Sequence, residues 1–314
     1  MKLTKLMAVL LMSFSAALMA APFAYVPNEG SGTISIIDTQ TDTIVGEIAI
    51  GGKPRGIAIS PDGKRLYVSE QKGEHVDVID TATKKFIKKI PVGDSPEAVY
   101  VNQDGTLIAV ANEEANTVSL IDAKALKIKS TIKLSGKNPE HAVFSPDGKL
   151  IFASAEEADK VDVVSVEKKK QIAQIDVGLR PRGIAFTPDG KKAFVASELV
   201  DTLYAIDVQT LKVTGKVKTG VRINGVTMHP NGKTVFVTNG GDANVSFVDT
   251  ETLEINANVP VGKRPWNMAI TADGKKLYVA AGRSDAVSVI DTETAKTIKL
   301  IAVGKLPWGV VIGK

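Results

Sequence analysis

The stretch Gly51–Asp80 reads GGKPRGIAISPDGKRLYVSEQKGEHVDVID, and the rest of the chain is a variation on it. A glycine-rich linker with Pro54 leads into an apolar run, Gly56–Ser60, and then a Pro61-Asp62-Gly63 turn. A second run (Arg65–Ser69), a polar loop and a third run ending in Ile79-Asp80 follow. The closing aspartate recurs at Asp38, Asp80, Asp122, Asp207, Asp249 and Asp291, with Ser165 in its place in the fourth copy. The steps are 42, 42, 43, 42, 42 and 42 residues, and the turn glycines Gly63, Gly105, Gly148, Gly190, Gly232 and Gly274 keep them. The extra residue falls between Asp122 and Gly148, in the linker Ser135–Pro139. A fixed period of this size, filled with short apolar and β-branched runs, predicts an all-β, seven-bladed β-propeller with one blade per repeat.

Each repeat predicts a four-stranded antiparallel blade. In the second copy the strands are expected near Ala98–Val101, Leu107–Ala111, Thr117–Ile121 and Lys127–Leu134. Pro-Asp-Gly suits the turn between the first two: proline presets φ, aspartate caps locally and glycine takes the positive φ. The Asp-Thr after the third strand predicts a similar side-chain-supported turn, so turn chemistry explains these aspartates fully. The chain ends in Pro307-Trp308-Gly309-Val310-Val311-Ile312, an inner strand with no partner after it, and opens on Phe23-Ala24-Tyr25-Val26, a second strand with no inner strand before it. The C-terminal strand is therefore expected to join the three N-terminal strands and close the ring, which removes two sheet edges.

Lys2 and Lys5 precede an apolar run, Leu6–Leu18, followed by the small residues Ala20 and Ala21. That pattern predicts a cleaved secretory signal peptide over 1–20, too short for a membrane anchor, and periplasmic localisation. Residues 21–314 then form one propeller domain with room for seven repeats and nothing more. Without its two leader lysines the chain falls from a formal net charge of +4 to +2, so bulk attraction to nucleic acid or membrane is not implied. With no cysteine, no disulfide staples the fold, but 44% hydrophobic residues over this length supply a core. The exported chain is expected to be a soluble monomer without membrane insertion.

Tyr67-Val68-Ser69 and its copies Tyr25-Val26-Pro27-Asn28, Phe236-Val237-Thr238-Asn239 and Tyr278-Val279-Ala280 resemble the YVTN-type propeller repeat. Ser60-Pro61-Asp62-Gly63 and Val78-Ile79-Asp80-Thr81 fit it too. The likeness spans the whole chain after residue 20. A secreted chain of seven such repeats also resembles a bacterial group that accompanies quinone-cofactor (PQQ) dependent alcohol catabolism and transport. The quinone dehydrogenases themselves are longer and carry a tryptophan-rich docking motif per blade. With two tryptophans here, the resemblance implies an accessory protein with no cofactor of its own.

The turn face is nearly uniform from copy to copy, whereas the linker face varies, so a ligand preference is expected there. The residue after each linker proline is Arg55, Glu97, Glu140, Arg182, Asn224 (in a linker lacking proline), Trp266 and Trp308. These should ring the channel mouth. With linker neighbours, one arc is basic: Arg180, Arg182, Arg222, Lys263, Arg264, Lys305, Lys53 and Arg55. The opposite arc holds Asp94, Glu97, Glu140 and His141, with Lys137 as the exception, and adjacent loops add Glu29, Glu70, Glu113, Glu114, Glu156, Glu157 and Glu198. Exposed ion pairs that merely solvate a face contribute little each, yet segregation by sign is not needed for solubility. Trp266 and Trp308 either plug the channel or anchor a ligand.

His75, His141 and His229 occupy three different repeat positions, so no three-histidine metal site is expected. Glu97, Glu140 and His141 form the one acid–base or metal cluster in reach, but without metal-ligand spacing, and no metal is assigned. Gly240-Gly241 precedes no helix and is no phosphate loop. The leading expectation is a periplasmic, non-catalytic binding or scaffold protein that takes a partner protein or a small anionic or aromatic ligand at the mouth. Two alternatives stand. One is a lactonase-like hydrolase drawing on Arg55, Glu97, Glu140, His141 and Arg182. The other, weakened by the small net charge, is single-stranded nucleic-acid binding on basic and aromatic residues.

Overall fold

A computed structural model of the protein describes residues 22–313; the leader assigned to 1–20 lies outside them. The repeat folds into seven four-stranded antiparallel sheets, a seven-bladed propeller. In the blade opened by Glu97 the strands are Pro96–Val101, Leu107–Asn112, Thr117–Asp122 and Lys127–Lys133, within a residue or two of the expected bounds. Ring closure is as the sequence implies. Val311–Ile312 pairs with the first strand, Phe23–Asn28, through Tyr25 opposite Val311 and Ala24 opposite Ile312. Trp308 N–H donates to Pro27 O at 3.0 Å and Gly313 N–H to Phe23 O at 2.9 Å. The closing strand is short because Gly309 and Val310 leave the ladder.

The core lies between blades. One cluster packs Val76, Val78 and Ile90 of one blade on Val99, Ile108 and Val110 of the next; another joins Ala24, Val26 and Ile37 to Tyr278 and Val289 across the closure. Inner strands crowd around the axis, and a Cβ on Gly56 would lie 2.3 Å from Glu97 O, so glycine is required there. The turns behave as their chemistry dictates: Asp62 Oδ1 accepts from Ser60 Oγ at 2.6 Å and Lys64 N–H at 3.1 Å, and Asp80 Oδ1 accepts from Thr83 N–H at 2.7 Å. Among the described residues no helix is long and apolar enough to cross a membrane.

One irregularity positions the site. In six of the seven blades the linker residue of the inner strand pairs with the second strand, and pairing resumes three residues later against a partner two residues away: Pro96 opposite Asn112, then Val99 opposite Val110. The same slip follows Pro54, Pro139, Pro181, Ile223 and Pro265. A β-bulge frees a residue from the ladder and re-aims its side chain. The freed residue is the variable one.

Candidate functional site at the channel mouth

A cavity of about 320 Å³ opens at the linker face, walled by Arg55, Glu140, Arg182, Asn224, Arg264, Trp266 and Trp308 among others. Seven of the nine residues assigned from the sequence therefore meet there. The other two sit behind the wall: Glu97 is wholly buried and His141 is 1% exposed. Below the mouth a channel of about 270 Å³ runs between the inner strands, and Trp308 and Asn267 border both spaces.

Each bulge residue has a counterpart sixteen positions later, where the second strand runs into its loop. The pairs are Arg55 with Gln71, Glu97 with Glu113, Glu140 with Glu156, Arg182 with Glu198, Asn224 with Gly240, and Trp266 with Gly282; across the closure Trp308 has Glu29. The chemistry of each pair is readable. A Cβ on Gly282 would lie 2.7 Å from the Trp266 ring, so glycine makes room for the indole. Arg182 Nε donates to Glu198 Oε2 at 3.0 Å.

Glu198 organises one side of the mouth. It begins a 3₁₀ turn, Glu198–Val200, that turns its carboxylate inward with no solvent exposure. Arg222 donates to it at 2.9 and 3.0 Å and Arg264 at 2.8 Å, and Arg180 Nε stands 3.7 Å away. Burial pushes this carboxyl up, but Arg182, then Arg264 and Arg222, outweigh it and hold it down at about 2. The expected separation of charge into arcs is therefore corrected. Glu198 sits inside the basic arc, and Arg180 and Arg182 reach across to Glu156 and Glu140; Arg182 Nη1 lies 2.7 Å from Glu140 and 3.0 Å from Glu156. Lys263 and Lys305 are exposed and do not line the cavity. Counting linkers alone missed this, because the loops after the second strands reach the same place.

The other side is acidic. Arg55 pairs with Glu97 and lies 3.4 Å from Glu29. Burial, reinforced by Glu140 and opposed by Arg55, holds Glu97 well above the usual carboxylate range. Burial also raises Glu156, against Arg182. Burial pushes Glu140 up, but Arg182 and Arg55 outweigh it and hold it down. His141 is kept neutral by burial, its pKa about 4. Its Nδ1 meets Tyr100 Oη at 2.7 Å and its ring stacks on Trp308, centroids 6.0 Å apart. His75 and His229 lie elsewhere, on a third strand and in a turn. Sequence reasoning placed Glu113, Glu156 and Glu198 near the mouth but gave them no role. The sixteen-residue offset was the signal that finds them.

The molecule was compared with known proteins. Two family models match, "Lactonase, 7-bladed beta-propeller" over residues 135–305 and "Cytochrome D1 heme domain" over residues 12–185. The PE-PGRS family protein PE_PGRS18 of Mycobacterium tuberculosis is 51% identical over 37 residues, 12% of this chain, and the match spans 8% of that protein. Hydrazine synthase of Kuenenia stuttgartiensis superposes with a TM-score of 0.77 at 23% identity, covering 91% of this chain and 99% of that one. A putative 6-phosphogluconolactonase of Bacteroides fragilis superposes with a TM-score of 0.80 at 18% identity, covering 95% and 99%. At these identities the structural likeness is one of fold.

Proposed function

The chain belongs to the seven-bladed β-propeller families described by the lactonase and cytochrome d1 heme-domain models, and from that premise we propose that its mouth binds a small hydroxy acid or the corresponding lactone. The observation that carries this is the two-sided mouth: guanidiniums gathered on Glu198 face a group of carboxylates, with Trp266 and Trp308 between. A carboxylate takes charge-assisted bonds from arginine, hydroxyls donate to the glutamates, and the carbon skeleton lies on indole. A bare anion gains less here than a basic arc would give, and a phosphate chain would meet as many carboxylates as guanidiniums, which disfavours single-stranded nucleic acid. In this reading the protein is exported, non-catalytic, and accessory to periplasmic oxidation of alcohols, in keeping with the YVTN-type, quinone-associated resemblance.

The haem of the second family does not fit the residues present. Among the described residues no histidine lines either cavity, and His141 is engaged by Tyr100 and overlain by Trp308.

A second reading, lactone hydrolysis, is favoured by the first family match and by Glu156, a cavity-lining carboxyl whose raised pKa suits proton transfer. Water would add to the lactone carbonyl with its proton passing to Glu156 and its oxyanion held by Arg182. The ring C–O bond then breaks, and Glu156 returns the proton to the departing ring oxygen to give the hydroxy acid. Titration calorimetry with hydroxy acids, their lactones and simple carboxylates tests the binding; the hydroxy acid is expected to bind more tightly than the simple carboxylate. Equal affinity for both overturns the two-sided mouth. Catalytic release of acid from the lactone, abolished by Glu156→Gln, replaces the binding reading with the hydrolytic one.

A further inference from the structure

We propose that the outer rim of three neighbouring blades docks the protein on an anionic lipid surface. The fourth strand of each blade is the outer edge of its sheet. In all seven blades it bulges against the third strand, and the residue the ladder skips is Val45, Ile87, Lys129, Ile172, Thr214, Asn256 and Ile298 in chain order. A bulge re-aims the side chain it frees. Ring closure sets the last blade beside the first, so Ile298, Val45 and Ile87 come from three blades in a row, whereas Ile172 stands alone between Lys129 and Thr214.

Each of the three carries a second apolar side chain on the same strand, and Ile44, Val45, Phe86, Ile87, Ile298 and Leu300 are all between 43% and 58% exposed. The three edges abut: Lys299 Nζ donates to Thr41 O at 3.1 Å, and Lys84 reaches over Gly46 from the other side. A contiguous apolar surface of this kind marks an interaction site.

Charge says what covers it. The fourth strands carry two lysines on Phe86–Pro91, three on Lys127–Lys133, one on Lys170–Asp176, three on Lys212–Lys218 and two on Lys296–Ala302, against the acids Glu47 and Asp176. The net charge of the chain is small, so positive charge is concentrated on the rim. Lysines and bulges also keep edge strands from pairing, but that protection requires neither a single sign of charge nor isoleucine and valine at the bulge. The patch is convex, because the outer edges of neighbouring blades diverge around a ring. Protein partners hold their anchors in pockets. A fluid bilayer surface instead takes projecting aliphatic side chains at its acyl boundary, while Lys88, Lys89, Lys296 and Lys299 reach its phosphates from either flank.

The test is co-sedimentation of the exported chain, residues 21–314, with vesicles of phosphatidylcholine containing about a third phosphatidylglycerol, and with phosphatidylcholine alone. The leader is absent, so its apolar run takes no part. Binding to the anionic vesicles only is expected, falling at least about tenfold between roughly 0.05 and 0.5 M salt. Ile87→Ser with Ile298→Ser, and Lys88→Gln with Lys296→Gln, should each weaken it about tenfold. Lys212→Gln with Lys216→Gln, on the opposite rim, should leave it unchanged. All these side chains are exposed, so every variant should melt with the wild type and keep its affinity at the mouth. No sedimentation of folded protein overturns the proposal. So does equal binding to neutral vesicles, or a loss from the Lys212 and Lys216 pair as large as from Lys88 and Lys296. Tight binding of polyglutamate by protein that ignores the vesicles overturns it in favour of an acidic protein partner.

Discussion

Glu198 accepts hydrogen bonds from Arg182, Arg222 and Arg264 while wholly buried. Removing one partner of a buried ion pair costs about 3 kcal/mol, so Glu198→Gln should lower the melting temperature by several degrees. Because the freed arginines then face the cavity, it should also tighten binding of a simple carboxylate. The pH dependence has a definite sign. The folded carboxyl lies near 2, below the ordinary glutamate value of about 4.3. Its stabilisation is in place above that value and is lost as pH falls toward 2. Melts between pH 7 and pH 3 should show the wild type losing its advantage over Glu198→Gln below about pH 4.3. A constant gap would mean that the arginines do not depress this carboxyl. In the sequence Glu198 was one more loop acid. What made it illegible is the 3₁₀ turn after Ser197, which aims its carboxylate at arginines of its own blade and the next two.

Strands and turns were legible because a period of 42 residues repeats their chemistry. Pro61-Asp62-Gly63 and Asp80-Thr81 fold as local rules dictate. The bulge after each linker was not legible, since one unpaired residue leaves no compositional trace, although it is what presents Arg55 through Trp308 to the mouth. The left-handed backbone at Arg180, Arg222 and Arg264 (φ 59, 55 and 52) is shared by Ser95, Asn138 and Leu306, so it belongs to the repeat and not to arginine chemistry. The closing strand carries an expectation of its own. A chain ending at Leu306 loses Trp308 N–H to Pro27 O and the Val311–Ile312 ladder. It exposes the edge of the first strand and the core between last and first blades. Differential scanning calorimetry should show a markedly lower melting temperature than for the full exported chain. Equal melting temperatures would mean that the three remaining strands hold the ring without it.

Across the ring, the two faces differ in what they repeat. The turn face repeats, and its aspartates are spent on capping. The linker face varies, and the cavity, both tryptophans and the buried glutamate–arginine network all lie there. The sequence located this face through variation at one position per repeat, but it could not balance the charge, which depends on which side chains meet across blades. The decisive measurement is a calorimetric titration with a hydroxy acid on wild type, Trp266→Ala and Asp62→Ala, with thermal melts of each. Loss of stacking worth about 1–3 kcal/mol should weaken Trp266→Ala roughly fivefold to a hundredfold with little change in melting temperature. Asp62→Ala should melt several degrees lower and keep its affinity. If Trp266→Ala instead collapses the fold while binding at low temperature is untouched, the tryptophans are channel packing and the mouth is not the ligand site.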